Sequence, residues 1–421
     1  MIKNPKIAVI GAGPSGITAL KNLVTNGFDV TCFEMNDQIG GNWVYKDKTG
    51  HSSVFKTTHI ISSKKFSEYT DFPMPNDFPD YPSGAELLSY FNSYVKKFDL
   101  KKHIKFETKI EKALPNNDKW KLFFENTNED FDYLIIANGH HWSPRIPSYS
   151  GSFSGELMHS HQFKNNEYFK DKSVLVVGGG NSACDIAVEI SRVAKKTSIS
   201  MRRGYHFIPK FIMGMPSDKF YAKTLWIPQR IRLILQKLVL RFVQGKYEDY
   251  GLQKPDHDIL QSHATVNSEL LYFIKHGKIS PKTNIKSFSG SSVLFDDESK
   301  NDYDIVLFAT GYKISFPFFS DSHIDYEQKD IDLYNFCFHP KFKNLMFVGL
   351  LQPLGCIWPL SDLQSQQIVK YLKKEWDLPS NFDKAVLAQQ SNTTFDFIDT
   401  PRHKLEVDFH DFRKHLLSEI N

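Results

Sequence analysis

Three glycines and one acidic residue near the N-terminus have the types and spacing of a dinucleotide site. Gly11, Gly13 and Gly16 form the pattern G-x-G-x-x-G, and Glu34 follows about 20 residues further on. The first glycine makes a tight turn, the second lets a pyrophosphate approach the backbone, and the third lets a helix pack on a strand. A carboxylate such as that of Glu34 accepts hydrogen bonds from ribose hydroxyls. The pattern predicts a nucleotide with a free 2′-hydroxyl, such as FAD.

A second glycine-rich turn has cations where the first has an acid. Gly178 and Gly180 are followed by Ala183, and Ala is tolerated at the third position because it serves helix packing. Arg202 and Arg203 stand close to where Glu34 stands in the first pattern. A guanidinium group pairs with a 2′-phosphate, whereas a carboxylate repels it. We therefore expect NADP at the second turn, with surface arginines at a strand end as the alternative.

Both turns need a strand before them and a helix after them. Ile7–Ile10 and Ser173–Val177 are apolar runs of strand length, and each leads directly into its glycine pattern. The helix that follows points its first amides at the phosphates. The fold class predicted is α/β, with two Rossmann-like dinucleotide-binding domains.

Later stretches indicate how the two domains are ordered along the chain. "FDYLIIANGHH" and "YDIVLFATGY" each place an apolar strand before Ala-x-Gly, as if closing a βαβ unit. "KNLMFVGLLQPLG" then predicts a strand that returns to the first domain. We expect the NADP domain to be inserted into the FAD domain. The predicted boundaries are 1–165 and 313–421 for the FAD domain and 166–312 for the NADP domain, which includes a covering segment at 204–262.

Composition and charge exclude several classes of protein. The chain has 421 residues, a net charge of +4 and four cysteines without a C-x-x-C pair. The small net charge gives no reason to expect nucleic acid as a partner. Sparse cysteines are typical of the reducing cytoplasm, which is the location predicted. A strand begins almost at residue 1 and apolar runs are short, so neither a signal peptide nor a transmembrane segment is expected.

Several histidines suggest a metal site at first sight. They are His51, His140, His141, His159 and His161. None forms H-x-x-x-H on a helix with a supporting acid, so we predict no metal.

Two dinucleotide sites in one chain indicate electron transfer from a nicotinamide to a flavin. The cofactors then perform the redox chemistry, and the protein orients them and excludes water. The lack of a cysteine pair argues against a disulfide reductase, and no cysteine cluster indicates an iron–sulfur centre. The remaining acceptors are oxygen, a quinone or another external molecule.

Ordered stretches of the chain resemble class B flavin-containing monooxygenases. The resemblance runs from Lys6 to about Gln367 and includes "GAGPSG", "GGNW", "SKKFSEYTDFPMP", "FSGELMHSHQF", "GGGNSACDIA", "ATGY" and "GLLQPLGCIWPLSDLQSQ". It implies that NADPH reduces FAD, that O2 adds to the flavin as a C4a-hydroperoxide, and that one oxygen passes to a soft nucleophile. That nucleophile is a small-molecule amine or sulfide. The resemblance implies no catalytic side chain, and a homodimer is possible.

The resemblance assigns cofactor-binding roles by position. For FAD these fall on Gly11, Gly13, Ser15, Gly16, Glu34, Asn42, Trp43, Ile110 and Gln352. For NADP they fall on Gly178, Gly180, Ser182, Asp185, Arg202, Arg203, Thr310 and Gly311. The family fingerprint F-x-G-x-x-x-H-x-x-x-aromatic falls on Phe153, Gly155, His159 and Phe163, in a stretch interpreted as a linker between the domains. We expect His159 to hold this linker against one domain and His161 to have no role.

One position departs from the family pattern. Ile61 stands where the family usually has an asparagine that faces the flavin and nicotinamide. Ile61 cannot donate a hydrogen bond, so either Ser62 or His59 replaces it at the flavin edge, or NADPH oxidation yields hydrogen peroxide. This departure keeps two alternatives open: a Baeyer–Villiger or carbon-oxygenating enzyme, and an uncoupled NADPH oxidase. A non-enzymatic flavin or NADP sensor is a third alternative.

The segment 204–262 is aromatic and basic. Its stretch "RIRLILQKLVLRFV" has a helical apolar stripe with Arg and Lys between. We expect it to cover a protein groove near the NADP site or to form a dimer contact, and a membrane surface is the alternative.

Overall fold

The structure is a computed structural model that describes residues 4–263, 265–320, 324, 326, 331–391, 397 and 403–421. The chain forms two compact units. The first unit comprises residues 1–44, 62–143 and 313–421, and the second comprises 45–61 and 144–312. The insertion of one unit into the other agrees with the predicted order.

The first unit begins with an alternation of strands and helices. Its strands are β1 (Lys6–Ile10), β2 (Asp29–Phe33), β3 (Ile104–Lys105), β4 (Lys112–Asn116), β5 (Lys119–Phe124), β6 (Thr127–Phe131) and β7 (Tyr133–Ile136). Its helices here are α1 (Pro14–Thr25), α2 (Lys64–Ser67) and α3 (Gly84–Lys97). The short strand β8 (Ser143–Pro144) lies where the chain leaves the unit.

The second unit follows. Its strands are β9 (Ser150–Phe153), β10 (Glu156–His159), β11 (Ser173–Val177), β12 (Lys196–Ser200), β13 (Phe207–Ile208), β14 (Phe211–Ile212), β15 (Met215–Pro216), β16 (Thr265–Val266), β17 (Ile279–Lys282), β18 (Ile285–Gly290), β19 (Ser292–Phe295), β20 (Lys300–Asp302) and β21 (Ile305–Phe308). Its helices are α4 (Asn181–Ser191), α5 (Ser217–Lys223), α6 (Gln229–Gln244) and α7 (Leu270–Lys275).

The chain then returns to the first unit. After β22 (Tyr312–Lys313) come β23 (Leu345–Phe347), β24 (Gln352–Pro353) and β25 (Glu406–Val407), with helices α8 (Ile357–Lys373), α9 (Phe382–Ser391) and α10 (Phe409–Ile420). Within the described part of the chain, no helix has both the length and the apolar character to cross a membrane.

Each unit is built on a five-stranded parallel sheet. The strand order is β23-β7-β1-β2-β3 in the first unit and β10-β21-β11-β12-β17 in the second. The glycine patterns follow the central strands β1 and β11, whose apolar residues are buried because helices cover a parallel sheet on both faces. Ligands of such sheets bind outside the carboxyl ends of the strands, where the strand order reverses.

The two sheets differ in the origin of their edge strand. In the first unit β23 comes from the C-terminal return of the chain, as predicted for residues 343–355. In the second unit β10, which precedes the rest of the sheet in sequence, pairs with β21. Residues 156–159 of the stretch predicted as a linker therefore form a strand, and the main segment of the second unit begins at residue 144 instead of 166. The sequence does not show this strand because Glu156 and Leu157 are exposed at the sheet edge, without an apolar alternation.

A buried carboxylate fixes the helix of the first glycine pattern. Asp362 on α8 is fully buried and accepts hydrogen bonds from Thr18 (2.7 Å) and Asn22 (2.8 Å) on α1. The ammonium group of Lys21 lies 3.4 Å from the same carboxylate, which compensates its charge. Because a buried charge is costly unless it is paired and hydrogen-bonded, this network holds α1 in one position against α8.

Candidate functional site

The first glycine turn has a geometry that only glycine fits. Gly11 has φ of +102° and donates its N–H to Phe33 O at 2.8 Å. A Cβ on Gly11 would lie 2.6 Å from the carbonyl oxygen of Ala137, closer than real contacts allow. The turn therefore packs tightly between β2 and the end of β7, and without a side chain at Gly11 its backbone can be approached closely by a ligand.

Helix α1 begins at this turn without a side-chain cap. Gly13 is the N-cap residue and Pro14 opens the helix. The amides of the first helical turn have no partner inside the helix, so they can bind an anion. A Cβ on Gly16 would overlap the carbonyl oxygen of Gly11, which explains the third glycine. Ser15 has its hydroxyl 2.9 Å from that of Ser361. These residues fit the pyrophosphate of a dinucleotide.

Glu34 lies directly beside the turn, one residue after β2. It is only 3% exposed, and its Oε2 accepts a hydrogen bond from Ala12 N at 2.8 Å. Its Oε1 accepts from the backbone and side-chain nitrogens of Asn36 at 2.9 and 2.7 Å. Donors therefore hold the carboxylate beside the glycines, in the position in which an acid binds a ribose.

Asn42 and Trp43 also lie beside the first turn. They belong to a short 3-10 helix, which is tied to the turn by the hydrogen bond from Gly40 N to Ala12 O (3.0 Å). The indole of Trp43 is partly exposed and packs edge-on against Trp358, with ring centres 5.7 Å apart. The structure brings both residues together with the glycines and Glu34.

Ile110 and Gln352, which were also predicted to bind FAD, have other surroundings than Asn42 and Trp43. Ile110 has a buried side chain in the core of the first unit, so only its backbone is available for binding. Gln352 begins β24 and has its Oε1 3.3 Å from Nε2 of His140. Burial lowers the pKa of His140 and keeps the imidazole neutral at physiological pH. The sequence analysis considered His140 only as a metal ligand and missed this contact.

The second glycine turn repeats the geometry of the first. Gly178 has φ of +139° and donates its N–H to Ser200 O at 2.9 Å. A Cβ on Gly178 would lie 2.5 Å from the carbonyl oxygen of Ala309. Gly180 is the N-cap of α4, again without a side-chain cap, and Ser182 is exposed in the first helical turn. This turn also fits a pyrophosphate.

The strand registers show which residue of the second unit corresponds to Glu34. Ile10 pairs with Phe33 in the first sheet, and Val177 pairs with Ser200 in the second. The residue after each of these strands is Glu34 in one unit and Met201 in the other. Met201 is buried and uncharged. The second turn therefore lacks the carboxylate that would repel a 2′-phosphate.

The two arginines follow Met201 directly. Arg202 is exposed, and Arg203 has its guanidinium carbon 5.5 Å from the ring centre of Tyr205. Among the described residues, the Nε of Arg203 has no hydrogen-bond partner although it is buried. A buried unsatisfied donor beside an open helix N-terminus fits an anionic group at this place.

Tyr205 and two residues just beyond the segment 204–262 contact the second turn and the helix after it. The ring of Tyr205 packs on the backbone of Gly179, and Thr265 donates to the carbonyl oxygen of Gly179 at 3.1 Å. Asn267 donates to Asp185 Oδ1 at 2.6 Å. Burial raises the pKa of Asp185 to about 6, so the carboxyl is partly protonated in mildly acidic solution. The contacts of Thr265 and Asn267 were missed, because these residues are more than 80 positions from their partners.

Thr310 and Gly311 lie after β21, near the end of the second unit. Thr310 donates to Arg145 O at 2.5 Å. The carbonyl oxygen of Gly311 accepts from Arg145 N at 3.0 Å and lies 3.1 Å from Nε2 of His159. His159 Nδ1 accepts from the amide of His161 at 3.1 Å, so a neutral ring with its proton on Nε2 satisfies both contacts. Burial lowers the pKa of His159 to about 4, which agrees with that neutral form.

The other fingerprint residues pack within the second unit. Phe153 contacts the ring of Phe288 at 5.4 Å between centres. A Cβ on Gly155 would lie 2.5 Å from Asp304 O, so glycine is needed beside β21. Phe163 is 1% exposed and packs against Phe55 with ring centres 5.1 Å apart. The fingerprint is therefore part of the second unit and not a linker.

His161 and Lys164, in and just after the fingerprint stretch, contact residues 45–61, which we term the excursion. The chain leaves the first unit at residue 45 and returns to it at Ser62. His161 has its Nε2 2.6 Å from Gly50 O, so it has a role that the sequence analysis did not foresee. Lys164 donates to Ser52 O at 2.7 Å and to Val54 O at 3.4 Å. Backbone carbonyls are the acceptors, so no residue pattern in the excursion could have revealed these bonds.

The three residues predicted at the flavin edge differ in their exposure to solvent. His59 is exposed and has its Nδ1 3.0 Å from Thr57 O. Ile61 is partly exposed. Ser62 is buried, with its hydroxyl 2.9 Å from that of Ser67. Over the described ranges, no group of three or more His, Cys, Asp or Glu is placed to hold a metal ion.

Comparisons with known proteins agree with this geometry. Residues 4–421 match the model of the flavin-binding monooxygenase-like family. Flavin-containing monooxygenase 5 of Rattus norvegicus is 34% identical over 442 residues, covering 96% of this chain and 81% of the relative. Dimethylaniline monooxygenase [N-oxide-forming] 2 of Oryctolagus cuniculus is 33% identical over an alignment that covers 99% of this chain and 82% of the relative. The S-allyl-L-cysteine S-oxygenase of Allium sativum has the same fold, with a TM-score of 0.74 and 22% identity over 99% and 88% of the chains.

These matches extend over nearly the whole chain and through both glycine turns. They confirm the predicted fold class and the predicted class of enzyme, a monooxygenase with FAD and NADP(H) as cofactors that acts on O2 and a small molecule. The chain belongs to the flavin-binding monooxygenase-like family.

Proposed function

We propose that this enzyme oxidises NADPH and transfers one oxygen atom of O2 to the nitrogen of an amine or the sulfur of a sulfide. The other oxygen atom leaves as water, and NADP⁺ is the second product. The two most informative relatives are a dimethylaniline monooxygenase that forms N-oxides and an S-oxygenase of S-allyl-L-cysteine. Both substrates carry a soft lone pair, which is the feature shared by the class of substrate proposed.

The observation that carries this proposal is the difference between Glu34 and Met201. The same structural position beside a glycine turn holds a buried carboxylate in one unit and an uncharged side chain followed by arginines in the other. The first turn then selects a nucleotide with a free ribose hydroxyl, and the second accepts a 2′-phosphate. This difference supports FAD at the first turn and NADPH at the second.

The residues of the first unit would bind the flavin nucleotide as follows. The amides after Gly13 would bind the pyrophosphate, Glu34 would accept from the ribose, and Asn42 and Trp43 would lie along the flavin. Ser15, Ile110 and Gln352 are the further members proposed for this site. When bound, FAD supplies the oxygen-activating chemistry, and the protein's part is to orient it and keep water out.

The residues of the second unit would bind NADPH. The amides at Gly180 and Ser182 would bind the pyrophosphate, and Arg202 with Arg203 would bind the 2′-phosphate. Thr310 and Gly311 would contact the nucleotide after β21. Asp185 is held by Asn267 and would accept from the bound nucleotide when ionised. His159 would position Gly311 through the contact between its Nε2 and the carbonyl oxygen of Gly311.

The experiment that tests the proposal measures three quantities in one reaction. Purified protein with FAD is given NADPH, air and either N,N-dimethylaniline or S-allyl-L-cysteine, and NADPH loss, O2 loss and oxygenated product are recorded. Equal molar amounts of all three support the proposal. Product formation that is absent with both substrates, although NADPH is consumed, would refute it.

A second candidate function rests on Ile61. Because Ile61 cannot donate a hydrogen bond, NADPH oxidation that releases mainly hydrogen peroxide is the alternative, together with oxygenation of a ketone carbon. In the same reaction, peroxide equal to the NADPH consumed would favour the oxidase, and a lactone formed from cyclohexanone would favour carbon oxygenation. A homodimer and a cytoplasmic location belong to the proposal as well, and are tested by sedimentation equilibrium and by cell fractionation.

A further inference from the structure

His140 and Gln352 come from distant parts of the chain and meet at one edge of the first sheet. His140 lies in the loop after β7, and Gln352 begins β24, which follows β23. The strands β7 and β23 are parallel neighbours, so both residues lie beyond the carboxyl ends of adjacent strands. Their side chains approach to 3.3 Å although 212 residues separate them in sequence. Gln352 is proposed to bind FAD, whereas His140 has no role in that proposal.

The two loops that carry these residues both contact the first glycine turn. The loop before His140 passes Gly11, where a Cβ would lie 2.6 Å from the carbonyl oxygen of Ala137. The other loop contains Gly349, where a Cβ would overlap the hydroxyl group of Ser15. The contact between the two side chains is thus built beside the turn, at the edge of the sheet where ligands bind.

The contact also fixes the proton of the imidazole. Burial lowers the pKa of His140, so the ring is neutral at physiological pH and carries one proton. The atom of Gln352 that faces the ring is Oε1, and an amide oxygen only accepts hydrogen bonds. The proton is therefore on Nε2, which donates to Oε1. The other tautomer would set two acceptors against each other and place an N–H at Nδ1, which is buried without a hydrogen-bond partner among the described residues.

This hydrogen bond sets the direction of the Gln352 amide. With its oxygen on His140, the amide turns its NH2 group to the other side. Over the described ranges, the contact with His140 is the only hydrogen bond of this side chain, which is partly exposed. An amide has nearly the same shape after rotation by 180°, so without the imidazole donor it could present its oxygen where it now presents two donors.

We propose that His140 is a positioning residue that holds the amide of Gln352 with its NH2 group toward an acceptor atom of the flavin ring. This inference rests on the proposed place of Gln352 beside FAD. Hydrogen-bond donors beside a flavin ring stabilise its reduced form, because the ring gains electrons on reduction. His140 would therefore raise the reduction potential of bound FAD without touching it.

The test measures the reduction potential of bound FAD in variants of the two residues. Slow anaerobic reduction beside a dye of known potential, followed by visible absorbance, gives this potential without turnover. His140→Leu and Gln352→Leu should each lower it, because the donor is turned away or lost. We expect the affinity for reduced FAD relative to oxidised FAD to fall about tenfold, which is about 30 mV for a two-electron couple.

A double-mutant cycle and a rescue separate positioning from general damage. In the Gln352→Leu background, His140→Leu should cause no further fall, since the amide that it positions is absent. His140→Gln can bring an amide nitrogen to the place of the imidazole Nε2 and should have the potential of the parent, whereas the shorter side chain of His140→Asn should not reach. Equal potentials in these two amide variants would overturn the proposal, whether or not His140→Leu folds.

His339→Leu is the matched control. His339 is a similarly buried histidine of the first unit, and its Nδ1 accepts from the backbone amides of Lys341 and Phe342. Its loss should lower the unfolding midpoint and leave the potential unchanged. A fall in His339→Leu as large as in His140→Leu would refute a specific role of His140.

The outcomes also separate this inference from the proposed function. If Gln352→Leu lowers the potential and His140→Leu does not, the positioning role is refuted and Gln352 keeps its place beside FAD. If neither variant changes the potential, Gln352 does not reach the flavin ring and the inference is refuted as well. A parent protein that binds no FAD would refute the proposed function itself.

Discussion

The ammonium nitrogen of Lys164 lies 2.7 Å from the carbonyl oxygen of Ser52, although 112 residues separate the two in sequence. Lys164 is buried, and this burial lowers its pKa to about 8. Together with the bond from His161 to Gly50, the contact holds the excursion 45–61 on the second unit. The excursion is preceded by Trp43 and followed by Ser62, both proposed or predicted near the flavin. Lys164 and His161 are thus positioning residues for that part of the chain.

Replacing Lys164 should loosen the excursion. Lys164→Met leaves the carbonyl oxygens of Ser52 and Val54 without their donor, which costs about 1–3 kcal/mol locally. We expect trypsin to cleave after the exposed Lys46 and Lys48 about tenfold faster than in the parent. Mass spectrometry of the early fragments measures this. The control Lys170→Met removes an exposed lysine nearby, and equal cleavage in the two variants would contradict the role given to Lys164.

The buried imidazole of His159 predicts a pH dependence of stability. Its pKa in the folded state is about 4, below the usual 6.5 of the unfolded chain. Between these values the unfolded chain binds a proton that the folded chain does not, so stability falls as pH falls through this window. The contribution is at most about 3 kcal/mol. His159→Gln can make both hydrogen bonds without titrating. Between about pH 7 and about pH 4.5, the free energy of unfolding measured in urea should therefore fall less in this variant than in the parent. The control is the exposed His276→Gln, and a pH profile identical to the parent's in both variants would refute the effect.

Arg202 should determine the preference for NADPH over NADH. Loss of a guanidinium–phosphate pair costs about 1.5–3 kcal/mol, so Arg202→Ala should raise KM for NADPH about 10- to 100-fold and leave KM for NADH nearly unchanged. Steady-state oxidation of each coenzyme measures this. Lys195→Ala removes an exposed cation directly before β12, whereas Arg202 follows the other end of this strand, and serves as the control. A parent enzyme that does not distinguish the coenzymes would contradict the assignment.

Met201 provides a test of the strand register itself. Met201→Glu places a carboxylate where the first unit has Glu34, and this carboxylate should repel the 2′-phosphate and accept from a free ribose. We expect the ratio of kcat/KM for NADPH to that for NADH to fall at least as far as in Arg202→Ala. An unchanged ratio in a variant that is still folded would show that position 201 does not face the nucleotide.

Glu34 should be required for retention of FAD. Its carboxylate accepts from three nitrogens and, when FAD binds, from the ribose as well. Glu34→Gln removes the charge from these hydrogen bonds, at about 1.5–3 kcal/mol, and should release flavin during gel filtration. The flavin content of the eluted protein is read from its visible absorbance. Glu111→Gln, an exposed residue in the same unit, should elute with the flavin content of the parent.

Ile61 should limit how much of the NADPH consumed yields product. Ile61→Asn introduces an amide donor at the position where the family usually has one, and should raise the product formed per NADPH while peroxide falls. Ile146→Asn adds the same amide at a position that is 58% exposed and serves as the control. If peroxide release is unaltered in Ile61→Asn, Ile61 is not the cause of any uncoupling.

The sequence was sufficient to locate the two glycine turns, because their geometry is local. The glycines at 11, 13, 16, 178 and 180 could be recognised because a tight turn between a strand and a helix allows only a few residue types at fixed spacing. Glu34 and the arginines were recognisable for the same reason, since a strand of known length links each to its turn. The structure places all of them beside their turns.

Contacts over long distances in sequence were decided only by the tertiary structure. The role of Met201 follows from a register between two strands, and that of His161 and Lys164 follows from backbone carbonyls more than 100 residues away. Strand β10 was mistaken for a linker because an exposed edge strand has no apolar alternation to reveal it. The apolar stripe of α6 was visible in the sequence, yet a stripe looks the same whether protein or solvent faces it. Spacing determines which chemistry a turn can perform, but burial and pairing depend on where distant parts of the chain meet.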